Sequence, residues 1–220
     1  MLSLHTLAAR LPHLAAAFLV ALALPAVAQT AAPQEGREYV RFKNAMPVET
    51  GKKIEVLEFF SYGCPHCGEV EPILQNWLKT VPADVAFRRV PVIFQDRWVP
   101  LAKEYYTLEA LGEDARLSPE MFTAIHAKGT AMWNEKTFFE WAASHGLDRK
   151  KVEDMYNSFA IAGKMNRARQ MAQSYGVQSV PLIVIDGKFV VSTEKIGSHA
   201  AMLPVMDALI VKARAERPKG

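Results

Sequence analysis

Ile54-Glu55-Val56-Leu57-Glu58-Phe59-Phe60 runs through Ser61-Tyr62-Gly63 into Cys64-Pro65-His66-Cys67, and this last tetrapeptide holds both cysteines of the 220-residue chain. The apolar and aromatic run, closed by small and polar residues, reads as a buried strand. Pro65 suits the first turn of a following helix, where a missing N–H leaves nothing unpaired. A structural disulfide normally closes a long loop. A four-residue ring contributes roughly 2 kcal/mol by loop entropy, against about 4.7 for a 100-residue loop. Two cysteines in so small a ring, at a strand-to-helix junction, make a poor staple and a good dithiol–disulfide couple. A redox enzyme is expected.

Working outward, residues 85–92 read as the next strand, giving a βαβ unit with a right-handed crossover. Pro72 falls inside the intervening helix and is predicted to kink it. Upstream, residues 29–38 read as a flexible leader and residues 39–42 as a short edge strand. Between residues 99 and 175 the pattern turns helical, with no strands. Leu101, Tyr105, Leu108 and Leu111 mark one apolar face. Ser118-Pro119 reads as cap and first position of a second helix carrying Phe122 and Ile125. Phe138, Phe139, Trp141 and Ala142 mark a third helix, stopped by Gly146. Asp148 caps a further helical stretch to Gly176. Strands return at 182–185 and 188–191 around Asp186-Gly187, a strong hairpin signal. A closing helix follows over 198–216. The four tryptophans, Trp77, Trp98, Trp133 and Trp141, are expected in packing roles.

The N-terminus reads as a cleavable secretory signal. Arg10 is the only charged residue before Glu35, and an apolar run over 14–24 leads to Pro25 and Ala26-Val27-Ala28, so cleavage is expected before Gln29. The alternative, a membrane anchor, needs about 20 apolar residues. Removing residues 1–28 leaves 25 basic against 23 acidic residues, a balance that points neither to nucleic acid nor to an acidic substrate. A periplasmic, oxidising compartment is expected.

A cysteine attacks as its thiolate, so the site must lower a thiol pKa. Cys64 is placed where free backbone N–H groups and the positive helix end converge, and His66 adds to them. Cys67, one turn on, is expected to be more buried and to resolve. Half of a zinc site and an inert disulfide are the alternatives. Zinc takes four ligands, and beyond residue 28 the other candidates are His66, His126, His145 and His199, in no paired spacing. No metal and no cofactor is expected, and the last three histidines read as surface or helix-terminal.

Val56-Leu57-Glu58-Phe59-Phe60-Ser61, Cys64-Pro65-His66-Cys67 and Gly176-Val177-Gln178-Ser179-Val180-Pro181 together resemble the DsbA family of periplasmic thiol:disulfide oxidants. The resemblance implies an α/β, thioredoxin-like fold with an inserted all-helical subdomain: signal 1–28, first half 29–98, insertion 99–175, second half 176–220. It implies a cis Val180–Pro181 bond beside the Cys-X-X-Cys helix, the alternative being an ordinary trans loop proline. The Val180 backbone would then pair with an extended substrate segment. It places Glu58 beneath the resolving cysteine, where it can help move a proton or simply sit in a buried ion pair. Its basic partner on the next strand would be Arg88 or Arg89, with Arg89 better aligned. If the family uses lysine there, arginine is a departure, since a guanidinium does not release a proton.

The expected function is donation of a Cys64–Cys67 disulfide to reduced, unfolded secreted proteins, with re-oxidation by a membrane quinone-linked partner resembling DsbB. A monomer that binds no nucleic acid is expected. A disulfide reductase or isomerase is the rival within redox enzymes, although such isomerases usually carry a dimerisation domain for which this chain lacks length. A thiol-dependent metal carrier or chaperone is the rival from another class.

Overall fold

A computed structural model describes residues 32–192 and 196–217 of the chain; the expected signal at 1–28 lies outside them. Five strands form one sheet: β1 (Val40–Arg41), β2 (Ile54–Phe60), β3 (Val85–Pro91), β4 (Leu182–Ile185) and β5 (Phe189–Ser192), in the order β1-β5-β4-β2-β3. β2 and β3 run parallel, joined through helix α1 (Pro65–Leu78), and the other pairings are antiparallel. Between β3 and β4 lie α2 (Trp98–Ala110), α3 (Asp114–Phe122), α4 (Glu135–Ser144), α5 (Arg149–Tyr156) and α6 (Phe159–Ser174). Helix α7 (His199–Glu216) closes the fold. The inserted helical segment and the thioredoxin-like arrangement of strands are both as the sequence implies.

All seven residues of β2 are buried, because the strand is central and both faces are covered. Ile54 and Val56 join a core layer with Val70 and Leu74 of α1 and Met202, Met206 and Leu209 of α7. Leu57 and Phe59 point the other way, into a core shared with Tyr105, Leu108, Leu117 and Phe138 of the helical segment. The strand thus ties the two layers together and ends directly at the cysteines.

The hairpin at Asp186-Gly187 has positive φ at both residues, 53° and 62°, the geometry of a tight type I′ turn. Gly187 has a second constraint: a Cβ there would lie 2.2 Å from the carbonyl oxygen of Met46. The Asp148 cap accepts a hydrogen bond from the Lys151 N–H, and Ser198 caps α7 by accepting from the Ala201 N–H.

Several expectations are corrected. The leader already has structure at its end, where Glu35 bridges Tyr39 and Glu38 accepts from the Gln34 N–H. Ser118 and Pro119 do not open a helix, because α3 starts at Asp114. Leu117 and Ser118 are buried on its packed face, and that burial overrides the local proline signal. Ser118 exchanges a 2.7 Å hydrogen bond with the Tyr62 hydroxyl instead of capping. The stretch after Asp148 is two helices, broken at Asn157, with Ser158 capping the second. Trp133 is 45% exposed, so the packing expected for all four tryptophans fails there. Pro72 does lie within α1, which continues to Leu78.

Candidate active site

Cys64 is the N-cap of α1, in extended conformation (φ −94°, ψ 116°), and Pro65 is the first helical residue. The turn before it is held by the Cys64 N–H donating to the Ser61 carbonyl (3.0 Å) and the Gly63 N–H donating to Ser61 Oγ (3.1 Å). Position 63 has no room for a side chain, since a Cβ would approach Trp98 Nε1 to 2.4 Å. Glycine therefore lets the indole of α2 close over the turn. Both cysteines are free thiols; Cys64 keeps 6% of its surface exposed and Cys67 none.

The Cys64 thiol is held down to about 6 from its ordinary 9.0. The largest cause is a hydrogen bond from the Cys67 side chain; burial opposes it, and the backbone N–H groups of Cys67 and His66 and the His66 charge add to it. These are the exposed donors of a helix start. Cys67 is pushed the other way, chiefly by burial, then by its bond to Cys64 and the charge of Glu58. One sulfur is thus set to carry charge and the other to carry the proton. From across the molecule, the loop before β4 brings the carbonyl of Val180 to 3.5 Å from Cys64 Sγ, and the Val180–Pro181 bond is cis.

Beneath the cysteines lies a buried cluster of charges. Glu58 of β2 sits opposite Arg89 of β3 in the parallel register, and Arg89 Nε donates to Glu58 Oε2 at 2.6 Å. The partner is Arg89; Arg88 turns to the other face and pairs with Glu55 and Glu49. Arg89 also grips Glu71 of α1, its Nη2 donating at 2.5 Å. Two carboxylates share one guanidinium. Burial pushes the Glu58 carboxyl up to about 7, against the pull of Arg89 and with repulsion from Glu71 adding to it.

His66 lies on the surface, its Nδ1 3.2 Å from Glu69 Oε2, and Pro65 edges a groove of 470 Å³ lined also by Gly68, Pro72, Phe122 and His126. The structure therefore gathers Cys64, Cys67, Pro65, His66, Glu58, Val180 and Pro181 around the start of α1. Sequence reasoning missed Glu71, although an acid among Cys67, Val70 and Leu74 on the packed face of the helix was a usable signal. It also missed His126, whose Nε2 meets the Tyr62 carbonyl oxygen at 2.8 Å. A π-helical turn over Thr123–Ala127 carries that ring, and nothing in the sequence announces the turn.

Residues 99–200 match a family model described as a DSBA-like thioredoxin domain. The thiol:disulfide interchange protein DsbA of Bordetella parapertussis is 42% identical over 202 residues, covering 91% of this chain and 95% of the relative. The protein of that name from Pseudomonas aeruginosa is 37% identical over 184 residues, covering 84% and 87%. Among solved structures, the crystal structure of Pseudomonas aeruginosa DsbA matches with a TM-score of 0.78 at 37% identity, covering 82% of this chain and 94% of that one. The oxidoreductase DsbA from Xylella fastidiosa matches with a TM-score of 0.77 at 30% identity, covering 83% and 98%.

Proposed function

The chain belongs to the DsbA family of thiol:disulfide interchange proteins, and from that membership we propose how its own residues divide the work. The protein is a dithiol oxidase of oxidative protein folding. In the proposed cycle the oxidised enzyme carries a Cys64–Cys67 disulfide. A substrate thiolate attacks Cys64 Sγ, forming a mixed disulfide and expelling Cys67, which takes up a proton. A second substrate thiolate attacks the substrate sulfur of that mixed disulfide, and Cys64 leaves as a thiolate. Two electrons pass to the enzyme, and the substrate leaves with a disulfide.

The observation that carries this assignment is the opposite setting of the two sulfurs: Cys64 lowered at the helix cap, Cys67 raised beneath it. A leaving thiol of low pKa leaves faster and makes the disulfide more oxidising. Pro65 and His66 hold the cap and place its donors, and Val180 and Pro181 present backbone to an extended substrate segment. Glu58 exchanges the Cys67 proton, its carboxyl being raised into the neutral range where it can both give and accept one. Arg89 fixes that carboxyl and does not itself release a proton.

The proposed setting is the periplasm, reached through a signal cleaved before Gln29, with reduced, unfolded exported proteins as substrates. A membrane quinone-linked partner resembling DsbB would restore the disulfide, and the enzyme acts as a monomer. No helix among the described residues is long and apolar enough to cross a membrane. Oxidative refolding of a reduced, unfolded protein tests the assignment. The oxidised enzyme is expected to restore native disulfides, and enzyme reduced and alkylated at Cys64 to restore none; equal rates contradict it.

A further inference from the structure

Beside the dithiol, three metal-ligating side chains from two elements meet at one point. His66 and Glu69 stand one turn apart at the start of α1, and His199 is the first residue of α7. Glu69 Oε2 lies 3.2 Å from His66 Nδ1 and 3.6 Å from His199 Nδ1. One ligand atom of each residue lies within 4.8 Å of one from both others. Zinc at about 2.0–2.2 Å from nitrogen and oxygen ligands sets tetrahedral neighbours roughly 3.3 Å apart. Two edges of the triangle already have that length, and the third needs only a small rotation of exposed side chains.

We propose that His66, Glu69 and His199 bind a divalent cation of the zinc class and that the bound ion obstructs thiol exchange at Cys64. Two imidazoles and a carboxylate with a fourth position open form a zinc donor set. The positive starts of α1 and α7 disfavour a cation. The binding therefore rests on the imidazole lone pairs, with Glu69 supplying the countercharge. That selects zinc over magnesium or calcium, which prefer an all-oxygen shell. All three side chains reach solvent, so the ion has a way in. His66 directly follows the Cys64-Pro65 cap, and an ion seated on it narrows the approach to Cys64 Sγ. This second part rests on Cys64 being the sulfur that substrates attack.

Calorimetric titration of the oxidised protein with zinc chloride tests the site with no thiol present to compete. One equivalent is expected to bind, magnesium is expected not to, and Glu69→Gln and His199→Ala are each expected to weaken zinc by about tenfold or more. Zinc affinity unchanged in both variants, or no zinc binding at all, overturns the site. In parallel, oxidation of a dithiol peptide is followed with and without zinc. Zinc is expected to slow the wild-type protein and not His199→Ala, while the two match without zinc. A zinc-loaded wild type that oxidises the peptide at full rate overturns the obstruction. Failure of the zinc-free enzyme to oxidise the peptide counts against the Cys64 assignment instead, and the calorimetry still decides the site.

Discussion

The sulfur of Cys64 lies 3.5 Å from the carbonyl oxygen of Val180, 116 residues further along the chain. Below about pH 6, where Cys64 holds its proton, the thiol donates to that oxygen; the thiolate has no hydrogen to give. Joined to a substrate sulfur, Cys64 likewise has no hydrogen to give, and in the proposed cycle the carbonyl then accepts from the backbone of the attached segment. The contact therefore sets the Cys64 sulfur beside the backbone that is proposed to bind substrate.

Cys67→Ala is expected to trap mixed disulfides through Cys64: its thiolate attacks disulfides in the extract, releasing one of their sulfurs as a thiol, and no neighbouring Cys67 thiol remains to displace the bound protein. Cys64→Ala is expected to trap almost none, since Cys67 has no exposed surface. Non-reducing gels of both variants exposed to periplasmic extract check this. Adducts on the Cys64 variant alone would reverse the roles.

Removing the Cys67 side chain is expected to raise the Cys64 pKa more than His66→Ala does. The hydrogen bond from Cys67 is the largest cause of the lowered value and the His66 charge the smallest named. Thiolate absorbance titrated against pH in both variants measures the order. A larger rise in His66→Ala would move the control of the thiolate to the imidazole.

Reduced and oxidised proteins are expected to differ in how stability follows pH. Cys64 is depressed in the fold, so its contribution is fully present above the ordinary value near 9 and is lost as pH falls through about 6. Glu58 is raised to about 7, so it acts oppositely and favours the fold as pH falls from about 7 toward 4.5. The causes of its shift are burial, Arg89 and Glu71 and include no cysteine, so the same contribution is expected in both redox forms. The difference between the two melts isolates Cys64. Urea melts of each form from pH 8 to pH 5 are expected to show the reduced form losing its advantage; a constant difference contradicts a folded-state thiolate.

Arg89→Leu is expected to cost about 3–5 kcal/mol, because it leaves Glu58 and Glu71 buried without their cation. Arg89→Lys, which keeps the charge, is expected to lose less. A leucine variant with the wild-type urea midpoint would mean that the carboxylates are neutral or hydrated.

Much of this was legible because local chemistry and tertiary demand agree. The run from Ile54 to Phe60 is apolar enough to be a central strand and nothing else, and Asp186-Gly187 permits the positive φ that a tight hairpin requires. Where they disagree, sequence misleads: Ser118-Pro119 carries a helix-start signal, but the buried face of α3 extends the helix back to Asp114. Other features join residues far apart in the chain. Glu71 reaches Arg89 only because α1 lies across β3, and His199 meets His66 only because α7 begins beside α1. No spacing within the sequence encodes those meetings. The Glu58 partner was half legible, since two adjacent arginines alternate across the strand and only the register assigns Arg89 to the cysteine side.

The redox equilibrium of the Cys64–Cys67 pair with glutathione tests the central claim, that a stabilised Cys64 thiolate makes this protein an oxidant. The expected potential lies toward the oxidising end, closer to the about −120 mV of DsbA than to that of a reductase, because a stabilised thiolate favours the reduced form. A value near the roughly −270 mV of a thioredoxin would contradict the claim and make the protein a reductase.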